Sequence, residues 1–236
     1  MPSIESVSFD TTGWTLEQIS EEMKRWTNEK AQFLSFHFFP MPPDVPCTLT
    51  DLNGLRASYR VGLADVAAAL ISADVFPIAR MDCIKLVFKS PSPQGMVYVG
   101  SLTFPFDEFS YVIKVQCAES GARGVRDAVV LDSLMQQGLA VFNEETEKIS
   151  GWAADPYFPE FEAPLLSNKS DEEMYDATFP DHPLTDVRAC LARIMRTLRV
   201  DQEVLQAARF VMPQDSLIPR RAERGELMIK PWWRFW

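Results

Sequence analysis

Two rhythms of apolar residues, one helical and one alternating, divide this chain into elements. Leu16, Ile19, Met23 and Trp26 recur at helical spacing, and Thr15 with Gln18 is spaced as a capping box. That pattern predicts an amphipathic helix over residues 15–29. QFLSFHFFP then reads as a strand, ended by Pro40, Pro42, Pro43 and Pro46. Both of its faces are aromatic, which places it centrally in a sheet. A helical region is expected over 51–72, broken at Gly62, followed by a weaker strand around 75–80. Three stronger strands succeed it, CIKLVFKS, MVYVGSLTF and FSYVIKVQC, separated by the turn-forming SPSPQG and PFDE. Short turns between successive strands predict an antiparallel meander. In the last strand Tyr111, Ile113 and Val115 alternate with Ser110, Lys114 and Gln116, so one of its faces reaches solvent.

ESGARGVRDAVVLDSLMQQG turns through two glycines into a helix that stops at Gly138. After it the periodicity fades, and GWAADPYFPEFEAPLL reads as a long surface loop tied down by Trp152, Tyr157, Phe158 and Phe161. A final helix is expected over 185–200, with Val187, Leu191, Ile194 and Leu198 inward and Arg188, Arg193, Arg196 and Arg199 outward. The predicted fold class is α+β: an antiparallel sheet covered by helices, in an α/β/α-like sandwich. Residues 1–218 form one domain, with 140–184 as an acidic, loop-rich insertion and 219–236 as a basic, aromatic tail.

Charge sharpens this picture more than composition does. The net charge is −10, and residues 140–186 carry twelve Asp or Glu against Lys148 and Lys169, which accounts for all of it. From Pro219 onward the bias reverses, with Arg220, Arg221, Arg224, Lys230 and Arg234 against Glu223 and Glu226. Opposite-sign blocks predict attraction within or between chains. An acidic chain does not neutralise phosphates, so nucleic acid is excluded as a partner. No stretch approaches the roughly 18 to 20 apolar residues that span a bilayer, so stable membrane insertion is not expected. MPSIESVSFD has no secretory pattern, and a cytoplasmic location follows. Cys47, Cys83, Cys117 and Cys190 are scattered, and buried free thiols are expected rather than disulfides or a metal site.

Catalytic signatures are sparse. The chain has two histidines. His37 lies among phenylalanines, as a core histidine would. His182, beside Asp181 in FPDHPLT, is the candidate for hydrolytic or small-ligand chemistry, although the same residues are ordinary helix-entry chemistry. Gly121 and Gly124 lead into a helix start that carries Arg123 and Arg126, a candidate anion site; a plain glycine turn with internally paired arginines is the simpler account. No cofactor or metal is implied. The last eight residues, IKPWWRFW, hold Trp232, Trp233, Arg234 and Trp236, which read as anchors for docking on this chain or on a second copy.

MVYVGSLTF, FSYVIKVQC, the glycine turn into VRDAVVLDSLM and the helix VRACLARIMRTLRV together resemble a known arrangement. It is the α/β/α sandwich of the PsbP-type photosystem II extrinsic proteins and the Ran-binding Mog proteins. That superfamily also includes bacterial adaptor chaperones of type VI secretion effectors. The resemblance covers residues 31–200 apart from the acidic segment, and it implies a non-catalytic module that presents a sheet face or edge to a protein. The functional expectation is a protein-binding module of adaptor or immunity type. Its partner-binding residues would be Trp152, Asp155, Tyr157, Phe158 and Glu160 together with the tail aromatics. Self-association as a homodimer with a docked tail is the alternative structural role.

Overall fold

A computed structural model describes residues 1–212. The tail, with Trp232, Trp233, Arg234 and Trp236, lies outside the described residues. The chain opens with a 3-10 turn, Ile4–Ser6, and continues through β1 (Val7–Ser8), β2 (Thr15–Ile19), β3 (Met23–Thr27), β4 (Phe33–Phe39) and α1 (Leu52–Ala64). Four long strands follow, β5 (Ala69–Ile78), β6 (Met81–Ser92), β7 (Gly95–Pro105) and β8 (Ser110–Ala118). After α2 (Val125–Gln136) come a small hairpin, β9 (Val141–Asn143) and β10 (Lys148–Ser150), then α3 (Pro183–Thr197), β11 (Arg199–Val200) and α4 (Gln202–Leu205). Seven strands form one open antiparallel sheet in the order β2-β3-β4-β8-β7-β6-β5. The expected meander is its β5–β8 half.

Pleating gives the sheet two faces with different cover. On one, Leu34, Phe36, Val87, Leu102, Ile113 and Val115 pack against Val187, Leu191 and Ile194 of α3 and against Ile4 and Val7 of the N-terminal segment. β1 pairs with β11, and the Tyr111 hydroxyl donates to the Ser3 carbonyl at 2.9 Å, so the N-terminal segment is fastened to this side. On the other face, Leu55, Tyr59 and Leu63 of α1 cover Leu70, Ala73, Ile84, Leu86, Phe88, Val99 and Val112. The layering is α/β/α. Among the described residues, no helix is long and apolar enough to cross a membrane.

The helix expected over 15–29 is instead the β2–β3 hairpin, turning at residues 20–22. A bulge between Leu16 and Gln18 explains the misleading spacing. It lets Leu16 and Ile19, three apart, face Trp26 and Lys24, two apart, so a strand imitates a helical stripe. Pairing of Trp26 with Leu34 of β4 then outweighs local propensity. The helix expected over 51–72 ends at Ala64, where Ala67 takes a positive φ of 54° and the Ala68 N–H returns to the Leu63 carbonyl. The remainder, ALISADVFPI, is edge strand β5, on which Pro77 is tolerated. The strand expected at 75–80 is therefore its second half. The 140–186 segment is not wholly irregular: it holds the β9–β10 hairpin and two 3-10 turns.

α3 crosses the sheet closely because β7 has no side chain at Gly100. A Cβ there would lie 2.6 Å from both Leu191 Cδ1 and Val187 Cγ1, which are wholly buried. Gly100→Ala is therefore expected to cost about 1–3 kcal/mol by overpacking, read as a lower urea midpoint with an unchanged slope. An unchanged midpoint would show that α3 has room to move.

Candidate functional site

The acidic segment is fastened to the fold by its own carboxylates. Lys89 of β6 and Asp171 are each 2% exposed, and the ammonium meets Asp171 Oδ2 at 2.7 Å. The same oxygen accepts from the Ser167 hydroxyl at 3.0 Å and the Asn168 N–H at 2.9 Å. Arg126, at the start of α2, is 1% exposed. Its Nε donates to the Ser170 carbonyl at 2.7 Å, Nη1 to the Thr185 hydroxyl at 3.1 Å, and Nη2 to the Glu172 carbonyl and Asp176 Oδ1 at 3.0 and 2.9 Å. Arg188 of α3 meets the same Asp176 oxygen at 2.8 Å.

A second attachment reaches α1. Asp155 is buried and meets Arg60 at 3.1 Å, while its Oδ1 also accepts the Tyr157 and Phe158 N–H groups. Tyr157 lies under Arg56, whose guanidinium carbon is 3.8 Å from the ring centroid, and its hydroxyl accepts the Ala73 N–H at 3.0 Å. Trp152, Asp155, Asp171 and Arg188 share the wall of a cleft of about 530 Å³. Phe158 and Glu160 are exposed outside it. The structure thus brings Trp152 and Asp155 together, turns Tyr157 toward β5, and leaves Phe158 and Glu160 to solvent. At the glycine turn, Arg126 is committed to the interior while Arg123 is exposed.

His182 lines a separate cleft of about 510 Å³ with Lys30, Glu119, Asp181 and Asp186. Its Nδ1 accepts the Leu184 N–H at 3.2 Å, capping α3, and its ring stands edge-on to Tyr98 at 5.0 Å. Burial, helped by the nearby Arg126 charge, pushes the imidazole down to about 4. Asp181 is turned toward Lys30 at 3.6 Å, with its side chain 94% exposed. With Nδ1 given to the helix, the neutral ring has a donor at Nε2 and no free base nitrogen there.

Among the described residues, a third feature is a groove of about 230 Å³ on the α1 side of the sheet, lined by Met23, Arg25, Phe33, Ser35, His37, Lys114 and Gln116. The register makes Arg25, Ser35, Lys114 and Ser101 one row across β3, β4, β8 and β7. His37 Nε2 is 3.0 Å from the Ser35 hydroxyl, and its ring stacks on Phe39 at 5.8 Å. Burial and the Lys114 charge hold this imidazole down to about 4, and burial alone lowers the Lys114 ammonium to about 8. His37 is therefore half-buried on an accessible face, not enclosed in the core. Lys114 and Gln116 were legible as the polar side of β8. Arg25 and Met23 were hidden by the helical reading of their hairpin.

No family model matches this chain, and no curated protein matches it. Among solved structures, a Bacteroides thetaiotaomicron protein is similar at 10% identity and a TM-score of 0.34, over 51% of this chain and 41% of that one. The solution structure of cyanobacterial PsbP (CyanoP) from Synechocystis is similar at 14% identity and a TM-score of 0.32, over 56% of this chain and 85% of that one. These values amount to a weak, fold-level resemblance to a PsbP protein.

The capping role of His182 has a pH signature. Between about pH 6.5 and 4 the unfolded chain takes up protons that the two depressed histidines refuse, so stability falls as pH drops through that window. Each group contributes a slope of at most about 1.4 kcal/mol per pH unit. His182→Asn keeps a cap acceptor, so stability at pH 7 should hold within about 1 kcal/mol, while part of the acid-side loss disappears. Equal acid sensitivity in both proteins would contradict the assignment.

Proposed function

We propose that this chain is a non-catalytic, cytoplasmic protein-binding module, in its most concrete form an adaptor or immunity-type protein. It would mask a partner's surface with the half of its sheet that α1 leaves uncovered. The observation that supports this reading is the composition of the cluster beneath α1. Its sheet residues come from β5, β6, β7 and β8, with Phe39 alone from β4 and none from β2 or β3.

On that side the outer strands present Phe33, 42% exposed, beside half-buried Met23 and Phe39. β2 is an edge strand whose five residues are all exposed. A sheet edge with unpaired backbone groups, next to a patch of mixed aromatic and polar side chains, suits recognition of an extended segment of another protein. The inward-turned Asp155, Asp171 and Asp176 serve the fold, which leaves exposed Phe158 and Glu160 as accessory contacts of the acidic segment.

The test uses the full chain as bait in native lysate, comparing wild type with Phe33→Glu on the open face and Val129→Glu on the exposed side of α2. A protein retained by wild type and Val129→Glu, but lost with Phe33→Glu, is the expected result. Binding that survives Phe33→Glu and fails with Val129→Glu would move the interface to α2 and contradict the proposal.

A further inference from the structure

We propose that the cleft of about 530 Å³ walled by the acidic segment, Ile71 of β5 and Arg188 of α3 binds a small organic cation that carries N–H donors, an alkylammonium or a guanidinium. The charged head donates to Asp171 Oδ1, and the aliphatic body lies along Trp152. The cleft is separate from the open sheet face, so this inference goes beyond the protein-binding reading and does not depend on it.

An unused acceptor carries the argument. Asp171 lines the cleft, is 2% exposed, and makes its side-chain contacts through one oxygen. Oδ2 takes the Lys89 ammonium, the Ser167 hydroxyl and the Asn168 N–H. Oδ1 is buried with no hydrogen-bond partner. A buried carboxylate oxygen without a donor is uncommon, because the interior does not replace the water it has lost. A donor entering from the cleft supplies the missing bond. Asp155, buried in the same wall, is one-sided too: Arg60 and the Tyr157 and Phe158 N–H groups all fall on its Oδ1.

Charge sets the sign of the ligand. Among the described residues the lining holds Asp155, Asp171, Glu172 and Glu173 against Lys169 and Arg188. Both cations are engaged, Lys169 with Glu172 and Arg188 with Asp176, each at 2.8 Å. An added cation therefore enters a negative field, and an anion is repelled. Trp152 is half-buried, packed on Val130, Leu134 and Ala140, and its indole suits a cationic or aliphatic neighbour.

Size and rigidity narrow the class. Among the described residues, no group of three or more His, Cys, Asp or Glu is placed to hold a metal ion. The cleft volume lies within the range of about 300–1,000 Å³ that small-molecule sites occupy. Its walls are clasped together in advance: the Ala154 N–H donates to the Ser167 carbonyl at 3.0 Å, and the Lys169 N–H to the Trp152 carbonyl at 2.9 Å. A ligand therefore meets a preformed site and orders little on binding.

Isothermal titration calorimetry on the full-length protein tests this. The probes are agmatine and putrescine, tetramethylammonium as a cation without N–H, 1,4-butanediol as the uncharged analogue of putrescine, and the capped peptide Gly-Arg-Gly. Agmatine or putrescine should bind about tenfold or more tighter than tetramethylammonium and the diol, the effect of one charge-assisted hydrogen bond, and should bind tighter than the peptide. Lys89→Met combined with Asp171→Asn removes both buried charges together, and it should weaken binding about tenfold; Trp152→Leu should weaken it as well. Glu173→Gln alters an exposed side chain, so it remains informative if the buried variants fail to fold; a loss of about two- to fivefold is expected. Glu21→Gln, exposed in the turn at the opposite edge of the sheet, should change nothing.

Absence of binding by both N–H cations would overturn the proposal. Equal binding of tetramethylammonium would overturn it too, by showing attraction without the Asp171 contact. Undiminished affinity in Trp152→Leu and Glu173→Gln, or equal losses in Glu173→Gln and Glu21→Gln, would place the cation elsewhere. A peptide that binds tighter than agmatine would make the occupant a protein side chain and contradict the small-molecule assignment.

Discussion

The Lys89–Asp171 ion pair is the constraint on which the arrangement of this protein depends. An ammonium and a carboxylate, each 2% exposed, meet inside the molecule where β6 faces the acidic segment. Removing two charges from water costs several kcal/mol each, and only close geometry with added hydrogen bonds recovers it. Asp171 Oδ2 has that geometry, with Ser167 and Asn168 as further donors. Asp171 Oδ1, buried with no hydrogen-bond partner, shows that the recovery is incomplete. An interaction of this kind specifies a position more than it adds stability. It tells a segment with twelve acids where to lie.

Once that position is set, the other pairings follow from proximity. Asp176 falls between Arg126 and Arg188, joining α2 to α3, and Asp155 falls on Arg60 of α1. The segment is thus sewn to three helices and one strand, and part of its charge is neutralised there. On β3, β4 and β8, toward the other end of the sheet, a groove lined by polar side chains is left uncovered by α1 and rimmed by Phe33 and Met23.

Much of the fold was legible because its strongest signals are local. β6, β7 and β8 announce themselves through alternation and turn residues, and α3 through a stripe ending in Ile194 and Leu198. The β2–β3 hairpin was not legible, because a bulge gave a strand the spacing of a helix. Nor was the role of Asp171: nothing in SNKSDEE separates the buried carboxylate from its exposed neighbours Glu172 and Glu173. Sequence showed that the segment was acidic. Which acids turn inward is a long-range fact, fixed by where Lys89, Arg126 and Arg60 stand in the folded sheet and helices. The groove shows the same division, with Lys114 and Gln116 visible in the alternation of β8 and Arg25 visible only once its hairpin is known.

A double-mutant cycle at the buried pair, read by urea unfolding, tests the account most directly. Lys89→Met leaves Asp171 charged and alone, and should cost about 3–5 kcal/mol. Lys89→Met combined with Asp171→Asn should recover a substantial part of that loss, because no uncompensated charge remains. A cost for Lys89→Met within the range of surface pairs, about 0–1 kcal/mol, would contradict the central place given to this interaction. So would a double variant as unstable as the sum of its singles.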